Sequence, residues 1–239
     1  MAYALKYCIA VLGEGCLKES KFEKRRHRGI LDLTRTNVHS IVRHMSATVI
    51  KSSRNIPEVV LAAAIHLFTK QGYFNTSVPD IVRESGVSTG SIYHHFGDKE
   101  GIAKALFEML VARMDDAFND IERQHDTAQA RCRAVVELLF RVAEEEPEVM
   151  TYMLFVKHKE FMPDMAPICS SKPFRQMRQM IADGMANGEV RSMDDMVAAA
   201  SVFGGALRMI SLRLDGVLEQ PLEVYLEEIW RCAWQSVRN

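Results

Sequence analysis

One stretch of twenty residues, 77–96, reads SVPDIVRESGVSTGSIYHHF and constrains the fold of this chain more than any other part. Ser77 is a natural N-cap, and Asp80, three residues later, gives the spacing of a capping box. Gly86 can adopt the positive φ with which a short helix ends in a tight turn. Ser88 can cap a second helix. The sequence therefore predicts two short helices joined by a turn, which is the layout of a helix-turn-helix.

The rest of the chain from residue 55 onward also shows helical periodicity. Apolar residues recur every three to four positions, and no stretch alternates apolar and polar residues for long enough to make a strand. The predicted helices cover 56–71, 78–84, 89–95, 98–121, 127–145, 148–160, 173–187, 194–214 and 221–236. The predicted fold class is therefore all-α. A three-helix helix-turn-helix domain over 52–100 is followed by a larger helical domain over 101–239.

Composition excludes several classes of protein. The 30 Lys and Arg residues face 31 Asp and Glu residues, so the chain has no global attraction for nucleic acid and must bind it through a local face. Five scattered cysteines without a C-x-x-C pattern indicate reduced thiols in a cytoplasmic protein. No apolar run is expected to cross a membrane. No catalytic motif such as H-E-x-x-H or G-x-S-x-G occurs, so we predict no enzyme, no cofactor and no metal.

The outward face of the second short helix is predicted to contact DNA. Ile81, Val82, Val87 and Ile92 are spaced to pack both helices on the helix before them. The opposite face is small at its N-terminal end, where backbone and hydroxyl groups can donate to phosphates or base edges. The predicted DNA contacts are Thr76, Ser77, Ser88, Thr89, Gly90, Ser91, Tyr93, His94 and Lys99. Lys99 is assigned to a phosphate, and His95 is predicted to pack against the neighbouring helix. The alternative is that these are ordinary solvated side chains.

Residues 56–107 resemble the TetR family of bacterial repressors. The matching elements are Ala62-Ala63, Leu67-Phe68, Gly72, Thr76, Asp80-Ile81, Gly86-Val87-Ser88, Gly90-Ser91-Ile92-Tyr93, His95-Phe96 and Asp98-Lys99-Glu100, with departures at Val82, Ser85 and Gly101. The resemblance implies a homodimer whose larger domain binds a small molecule. We therefore predict a transcriptional repressor that binds a palindromic DNA operator. The sequence leaves open an activator, a structural DNA-binding protein without a ligand, and a helical enzyme that carries the motif.

Two helices near the C-terminus are predicted to form the dimer interface. Residues 196–214 are apolar almost all round, so most sides of this helix must be covered. Gly204 and Gly205 each cost about 1 kcal/mol of helix stability relative to Ala, which the close approach of a second helix would explain. Together with the next helix they predict a two-fold symmetric four-helix interface. Its predicted residues are Val202, Gly204, Gly205, Leu207, Leu226 and Trp230. The alternative is that both helices complete the core of their own chain.

Methionine usage indicates where an effector would bind. Twelve of the 14 methionines follow residue 100, and flexible, polarizable Met side chains suit a pocket that adapts to apolar ligands. The predicted effector-binding residues are Met150, Tyr152, Met153, Phe155, His158, Phe161, Met162, Met177, Arg178 and Met180. His158 and Arg178 would supply the few orienting polar groups of such a pocket. The effector is predicted to be small and hydrophobic. The same residues at helical spacing would also make an ordinary core.

Residues 1–51 differ from the rest of the chain. They show weak periodicity and contain a basic run, 21–28. We predict an extension that is disordered or that reflects an upstream start codon, with Met45 as the natural start. Residues 1–44 should then be dispensable for folding and dimerisation. The alternative is that the basic run is an arm that contacts DNA.

Overall fold

The structure, a computed structural model, describes residues 55–163 and 170–239. Within these ranges the chain is helical, without β-strands apart from an isolated bridge between Val190 and Arg238. The all-α prediction is confirmed. The α-helices of the described chain are α1 (Ile56–Lys70), α2 (Val78–Ser85), α3 (Thr89–Phe96), α4 (Lys99–Gln124), α5 (Ala128–Glu145), α6 (Pro147–Phe155), α7 (Lys172–Ala186), α8 (Asp195–Leu214) and α9 (Leu226–Gln235). The predictions for residues 1–51 lie outside the described residues.

Two predicted helices are shorter than the sequence suggested. α6 ends at Phe155 because Val156 adopts an extended conformation (ψ 127°), and a 3₁₀ turn, His158–Glu160, follows. α9 begins at Leu226, after a second 3₁₀ turn, Leu222–Tyr225. Apolar residues at every third position continue through a 3₁₀ turn, so periodicity alone did not separate it from the α-helix.

Two hydrophobic cores organise the described chain. The first contains residues of α1, α2, α3 and the N-terminal half of α4, such as Phe68, Ile81 and Ile92. The second contains residues of α5, α7, α8 and α9, together with Phe118 near the C-terminal end of α4. α6 also contributes to both cores, since Met150 is buried in the second and Tyr152 in the first. α4 and α6 are therefore the two helices that join the cores.

α8 is the one described helix that is long and apolar enough to cross a membrane by length and composition. This corrects the expectation that no apolar run reaches that length. The helices at the centre of soluble proteins meet the same criterion, so it is weak evidence for a membrane span. One face of α8 supplies Val202, Phe203 and Ile210 to the second core.

Candidate functional site

The predicted helix-turn-helix is present, with its caps. Ser77 and Asp80 form a capping box in which the Asp80 N–H donates to Ser77 Oγ (3.3 Å) and the Ser77 N–H donates to Asp80 Oδ2 (2.8 Å). Gly86 ends α2 with a φ of 69°, a left-handed conformation that glycine adopts without steric cost. Ser88 Oγ accepts from the Ser91 N–H at 3.3 Å and starts α3. These local interactions fix the angle at which α3 leaves the turn.

The packing of α2 and α3 leaves one face of α3 in solvent. Ile81 and Ile92 are fully buried, and they hold α2 and α3 against α1 and α4. On the opposite face Thr89, Gly90 and His94 are exposed, and Tyr93 is 50% exposed. Ser91 is half-buried, and Ser77 and Ser88 are exposed with their hydroxyls engaged as caps. The assignment of these residues to DNA contact stays a prediction.

His95 does not pack against a neighbouring helix, so that prediction is wrong. The side chain is exposed and lies edge-to-face with His94, with ring centroids 5.3 Å apart. The inward positions of α3 are Ile92 and Phe96, one turn apart, and the 100° step from residue to residue turns His95 away from them. His95 is therefore an additional exposed residue on the surface of α3 that sequence reasoning missed.

The helix-turn-helix domain carries little net charge. Residues 55–107 contain four basic side chains (Lys70, Arg83, Lys99, Lys104) and five acidic ones (Glu58, Asp80, Glu84, Asp98, Glu100), a difference of −1. Arg83 is in addition ion-paired with Asp80. Long-range attraction of the phosphate backbone is therefore weak in this part of the chain, and short-range hydrogen bonds from α3 must contribute more of any affinity for DNA.

Two predicted DNA contacts have other roles in the structure. Thr76 is buried, and its hydroxyl donates to the Gly72 carbonyl at 2.9 Å. The Lys99 ammonium donates to the carbonyls of Tyr73 (2.9 Å) and Thr76 (2.8 Å) and lies 4.1 Å from the centre of the Tyr73 ring. Burial lowers the pKa of Lys99 from its ordinary value. The prediction that Lys99 binds phosphate is therefore corrected: it ties the start of α4 to the turn between α1 and α2.

Lys99→Met should accordingly destabilise the fold rather than change the response of DNA binding to salt. Hydrogen bonds from a charged donor contribute about 1.5–3 kcal/mol, so we expect a loss of that order in thermal unfolding. The logarithmic salt slope of DNA binding should stay within half a unit, whereas a lost phosphate contact would lower it by about one. Lys104→Met, an exposed lysine on the same helix, is the matched control. A reduced salt slope with unchanged stability would restore the phosphate assignment.

An apolar cavity of about 50 Å³ lies among the helices of the second core. The residues that line it come from α4 to α8 and from the N-cap of α7: Met114, Phe118, Leu139, Val142, Val149, Met150, Met153, Leu154, Ser171, Pro173, Phe174, Met177 and Leu207. Three of the ten predicted effector residues, Met150, Met153 and Met177, are among them. Methionine enrichment thus selected three residues that line this cavity, and their assignment to an effector stays a prediction.

The other predicted effector residues lie elsewhere. Met180 is fully packed in the second core, Phe155 is 44% exposed, and Arg178 is half-buried outside the lining. The remaining four, Tyr152, His158, Phe161 and Met162, are on the helix-turn-helix side of the molecule: Tyr152, Phe161 and Met162 belong to the first core, and His158 packs against aromatic rings there. The assignment of these seven residues to the cavity is corrected. On α6 each residue turns by about 100°, so Tyr152 and Phe155 face away from the cavity. His158, Phe161 and Met162 follow the end of α6, and Arg178 and Met180 lie on other faces of α7.

The aromatic residues that were predicted for the effector site but do not line the cavity connect α6 and the segment after it to the helix-turn-helix. The Tyr152 hydroxyl donates to the Ala103 carbonyl of α4 at 3.1 Å. Phe161 stacks on Tyr73, in the turn between α1 and α2, with ring centroids 3.8 Å apart. The His158 ring packs edge-on against Phe107 and Tyr152, and burial lowers the pKa of His158 to about 4, so the ring is neutral at physiological pH. We define Tyr73, Phe107, Tyr152, His158 and Phe161 as the aromatic cluster.

Most of the residues predicted for the dimer interface pack against other residues of their own chain. Val202 and Trp230 are buried in the second core, and Leu207 lines the cavity. A Cβ placed on Gly205 would lie 3.1 Å from Ile229 Cδ1, so this glycine admits α9 of its own chain. Half-buried Leu226 packs against the second core. For these five residues the structure favours the alternative, a role in the core.

Gly204 is the exception among the predicted dimer residues. A Cβ placed there would meet no described atom within 4 Å, so this side of α8 is open. Val197, Ala200 and Arg208 are exposed on the same helix at spacings of three and four residues from one another and from Gly204. We define Val197, Ala200, Gly204 and Arg208 as the open face of α8.

Comparison with known proteins agrees with this geometry. Residues 60–106 match the family described as bacterial regulatory proteins, tetR family. The HTH-type transcriptional regulator HbdR of Aromatoleum sp. (strain CIB) is 45% identical over 65 residues, which are 27% of this chain and 27% of HbdR. The match thus spans about a quarter of the length of that relative.

Solved structures extend the similarity of fold beyond this region. A TetR family transcription regulator from Marinobacter aquaeolei VT8 has a TM-score of 0.65 and 21% identity, covering 77% of this chain and 96% of that one. The transcriptional regulator FadR from Bacillus subtilis, solved in complex with stearoyl-CoA, has a TM-score of 0.66 and 17% identity, covering 75% and 98%. Both are regulators rather than enzymes. Residues 60–106 of this chain therefore match the helix-turn-helix DNA-binding domain of the TetR family, and the described chain has the fold of solved TetR family regulators.

Proposed function

We propose that this protein is a homodimeric transcriptional repressor that a small hydrophobic effector releases from a palindromic operator. The helix-turn-helix domain would read the major groove through the exposed face of α3, in the cytoplasm. The domain beyond residue 100 would bind the effector and the second copy of the chain. In the DNA-bound state the two α3 helices would lie roughly 34–36 Å apart, the spacing of successive major grooves.

The observation that carries this proposal is the position of α6. One side of α6 lines the cavity with Val149, Met150 and Met153, while Tyr152 points into the first core and bonds to α4. An effector that enters the cavity must displace side chains of α6, and α6 is packed on the domain that holds α3. An effector shifts such an equilibrium by its difference in affinity for the two states. Movement of α6 would therefore transmit ligand binding in the cavity to the domain that holds α3.

The chemistry of the cavity supports a hydrophobic effector. Ser171 is the single polar residue in its described lining. A volume of about 50 Å³ is far below the roughly 300–1,000 Å³ of a pocket that holds a drug-sized ligand, so binding must open it. Four flexible methionines in the lining (Met114, Met150, Met153, Met177) can rotate to make that space. The similar fold of FadR, solved with stearoyl-CoA, is compatible with an apolar ligand here.

Replacing Tyr93 by Ala tests the role of α3. Tyr93 is half-exposed on the proposed DNA face, so its removal should leave the thermal stability within about 0.5 kcal/mol. We expect about a tenfold loss of operator affinity, which corresponds to about 1.4 kcal/mol. Fluorescence anisotropy with the palindromic DNA next to the gene measures it. Val224→Ala, an exposed residue remote from α3 in the sequence, is the control. Equal affinities of both variants and the wild type would remove Tyr93 from the interface.

A further inference from the structure

A polar seam between α4 and α7 adjoins the apolar cavity. It consists of Asp115, Asn119, Ser171, Lys172 and Gln176. Lys172 Nζ lies 2.6 Å from Asp115 Oδ2, and Gln176 Nε2 donates to Asn119 Oδ1 at 2.8 Å. The seam adjoins the cavity in two ways. Ser171 is itself part of the cavity lining, and on both helices the other seam residues are sequence neighbours of residues that line the cavity.

Three oxygens of this seam are buried and lack a hydrogen-bond partner in the described chain. They are Asp115 Oδ1, Ser171 Oγ and Gln176 Oε1. Ser171 holds the N-cap position of α7 but its hydroxyl makes no cap hydrogen bond, although serine at this position normally does so. Burying a polar atom without a hydrogen-bond partner is costly, so a native structure rarely leaves several such atoms together without a role.

We infer that this seam binds the head group of the effector, and that the head group is an uncharged hydrogen-bond donor, such as a hydroxyl or a primary amide. This inference rests on the proposed function, since it places the polar end of the same effector whose apolar body fills the cavity. Two of the three oxygens, the Asp115 carboxylate and the Gln176 amide carbonyl, can only accept hydrogen bonds, and the Ser171 hydroxyl can also accept. The missing partners of Asp115 Oδ1 and Gln176 Oε1 are therefore donors, and a donor can also satisfy Ser171 Oγ.

The charges of the seam exclude an ionised head group. The Asp115 carboxylate is already balanced by Lys172. A ligand carboxylate would bring a second negative charge to Asp115 Oδ1 without offering a donor. A ligand ammonium would add an unbalanced positive charge beside Lys172. Either charge would also be moved from water into an apolar cavity, which is costly without a matched partner.

A panel of eight-carbon compounds tests this inference on the full-length protein. 1-Octanol, octanamide, octanoate and octylamine at neutral pH have the same chain and differ in the head group. Binding is measured by the rise in melting temperature and by titration calorimetry, both without DNA. We expect the alcohol and the amide to bind at least about tenfold more tightly than the carboxylate and the ammonium, which is about 1.4 kcal/mol or more.

Two variants link this selectivity to the seam. Ser171→Ala removes a hydroxyl that bonds nothing in the described chain, so the fold should keep its stability while affinity for 1-octanol falls about three- to tenfold. Asp115→Asn keeps the shape but supplies an amide N–H₂ donor, so discrimination against octanoate should shrink. Lys172 then loses its partner but is more than half exposed, and it can be solvated. Ser201→Ala, outside the lining of the cavity, is the control.

Three outcomes decide the matter. Selective binding of the alcohol and amide, weakened by Ser171→Ala, supports the inference. Equal binding of all four compounds, or a preference for octanoate, overturns it and indicates that water alone occupies the three oxygens. Selective binding that does not release operator DNA leaves this inference standing and contradicts the proposed release mechanism.

Discussion

Gly204→Glu should convert the proposed dimer into a monomer and weaken operator binding by at least about 100-fold. Among the described residues predicted for the interface, Gly204 is the one whose missing side chain would point into open space. A glutamate side chain between two copies of the open face of α8 would hold apart two helices that a glycine lets approach closely. Its carboxylate would also have to leave water, which costs several kcal/mol, and Arg208, one turn away on the same face, can offset only part of that cost.

The effect on DNA follows from the symmetry of the operator. In a dimer, binding of one half-site holds the second α3 near its own half-site at a high effective concentration. This avidity contributes about 10²- to 10⁴-fold without any new contact. A monomer with an intact α3 keeps the contacts to one half-site and loses that contribution. Size-exclusion chromatography with light scattering gives the mass, and anisotropy on the same sample gives the affinity.

Two neighbouring variants separate the interface from the core. Gly204→Ala adds a methyl group in open space, improves helix propensity, and should leave a stable dimer. Gly205→Glu would instead push against Ile229 of the same chain, so we expect it to lower the melting temperature whatever the oligomeric state. A Gly204→Glu protein that remains a dimer with full operator affinity would show that the subunits associate elsewhere.

The elements of this fold could be predicted from the sequence because their signals are local. Ser77, Asp80, Gly86 and Ser88 act through neighbours within four residues, and the structure has each in its predicted role. The helical spacing of apolar residues predicted nine helices, and the predicted ends lie within a few residues of those in the described structure, except where a 3₁₀ turn continues the same spacing. Local chemistry was enough to identify the helix-turn-helix.

The partners of individual side chains could not be predicted, because they depend on residues distant in sequence. Lys99 lies near the start of its helix, where a phosphate contact is plausible, but its ammonium bonds to Tyr73 and Thr76, more than twenty residues earlier. Met150 and Tyr152 are two residues apart and equally apolar in pattern, yet they face different cores. Which face of α6 meets the cavity depends on how α4, α5 and α7 pack around it.

Phe161→Ala should disconnect effector binding from operator release. Phe161 follows α6 in the chain and stacks on Tyr73, which belongs to the turn that positions α2. Displacement of α6 by a ligand would move Phe161 and, through the stack, that turn. Removal of the ring leaves the cavity and the exposed face of α3 untouched. The variant should therefore still bind operator and ligand, but ligand should no longer release the DNA.

The cost in stability is substantial and must be separated from the loss of coupling. Truncation of a buried Phe to Ala costs about 3–5 kcal/mol. Phe161→Leu keeps most of the apolar volume and loses the stacked ring, so it should cost less than about 1.5 kcal/mol and still impair release. Phe155→Ala is the matched control, because Phe155 is the last residue of α6 and is 44% exposed.

Release is measured as the anisotropy of operator DNA during titration with whichever eight-carbon compound most raises the melting temperature of the wild type. Wild type and Phe155→Ala should lose the DNA at the same ligand concentration. Both Phe161 variants should retain it at least tenfold beyond that concentration, although their melting temperatures still rise with ligand. If both Phe161 variants release DNA as the wild type does, the signal bypasses the aromatic cluster. The remaining helix common to both cores, α4, would then be the element that carries it, through Leu106 and Phe118.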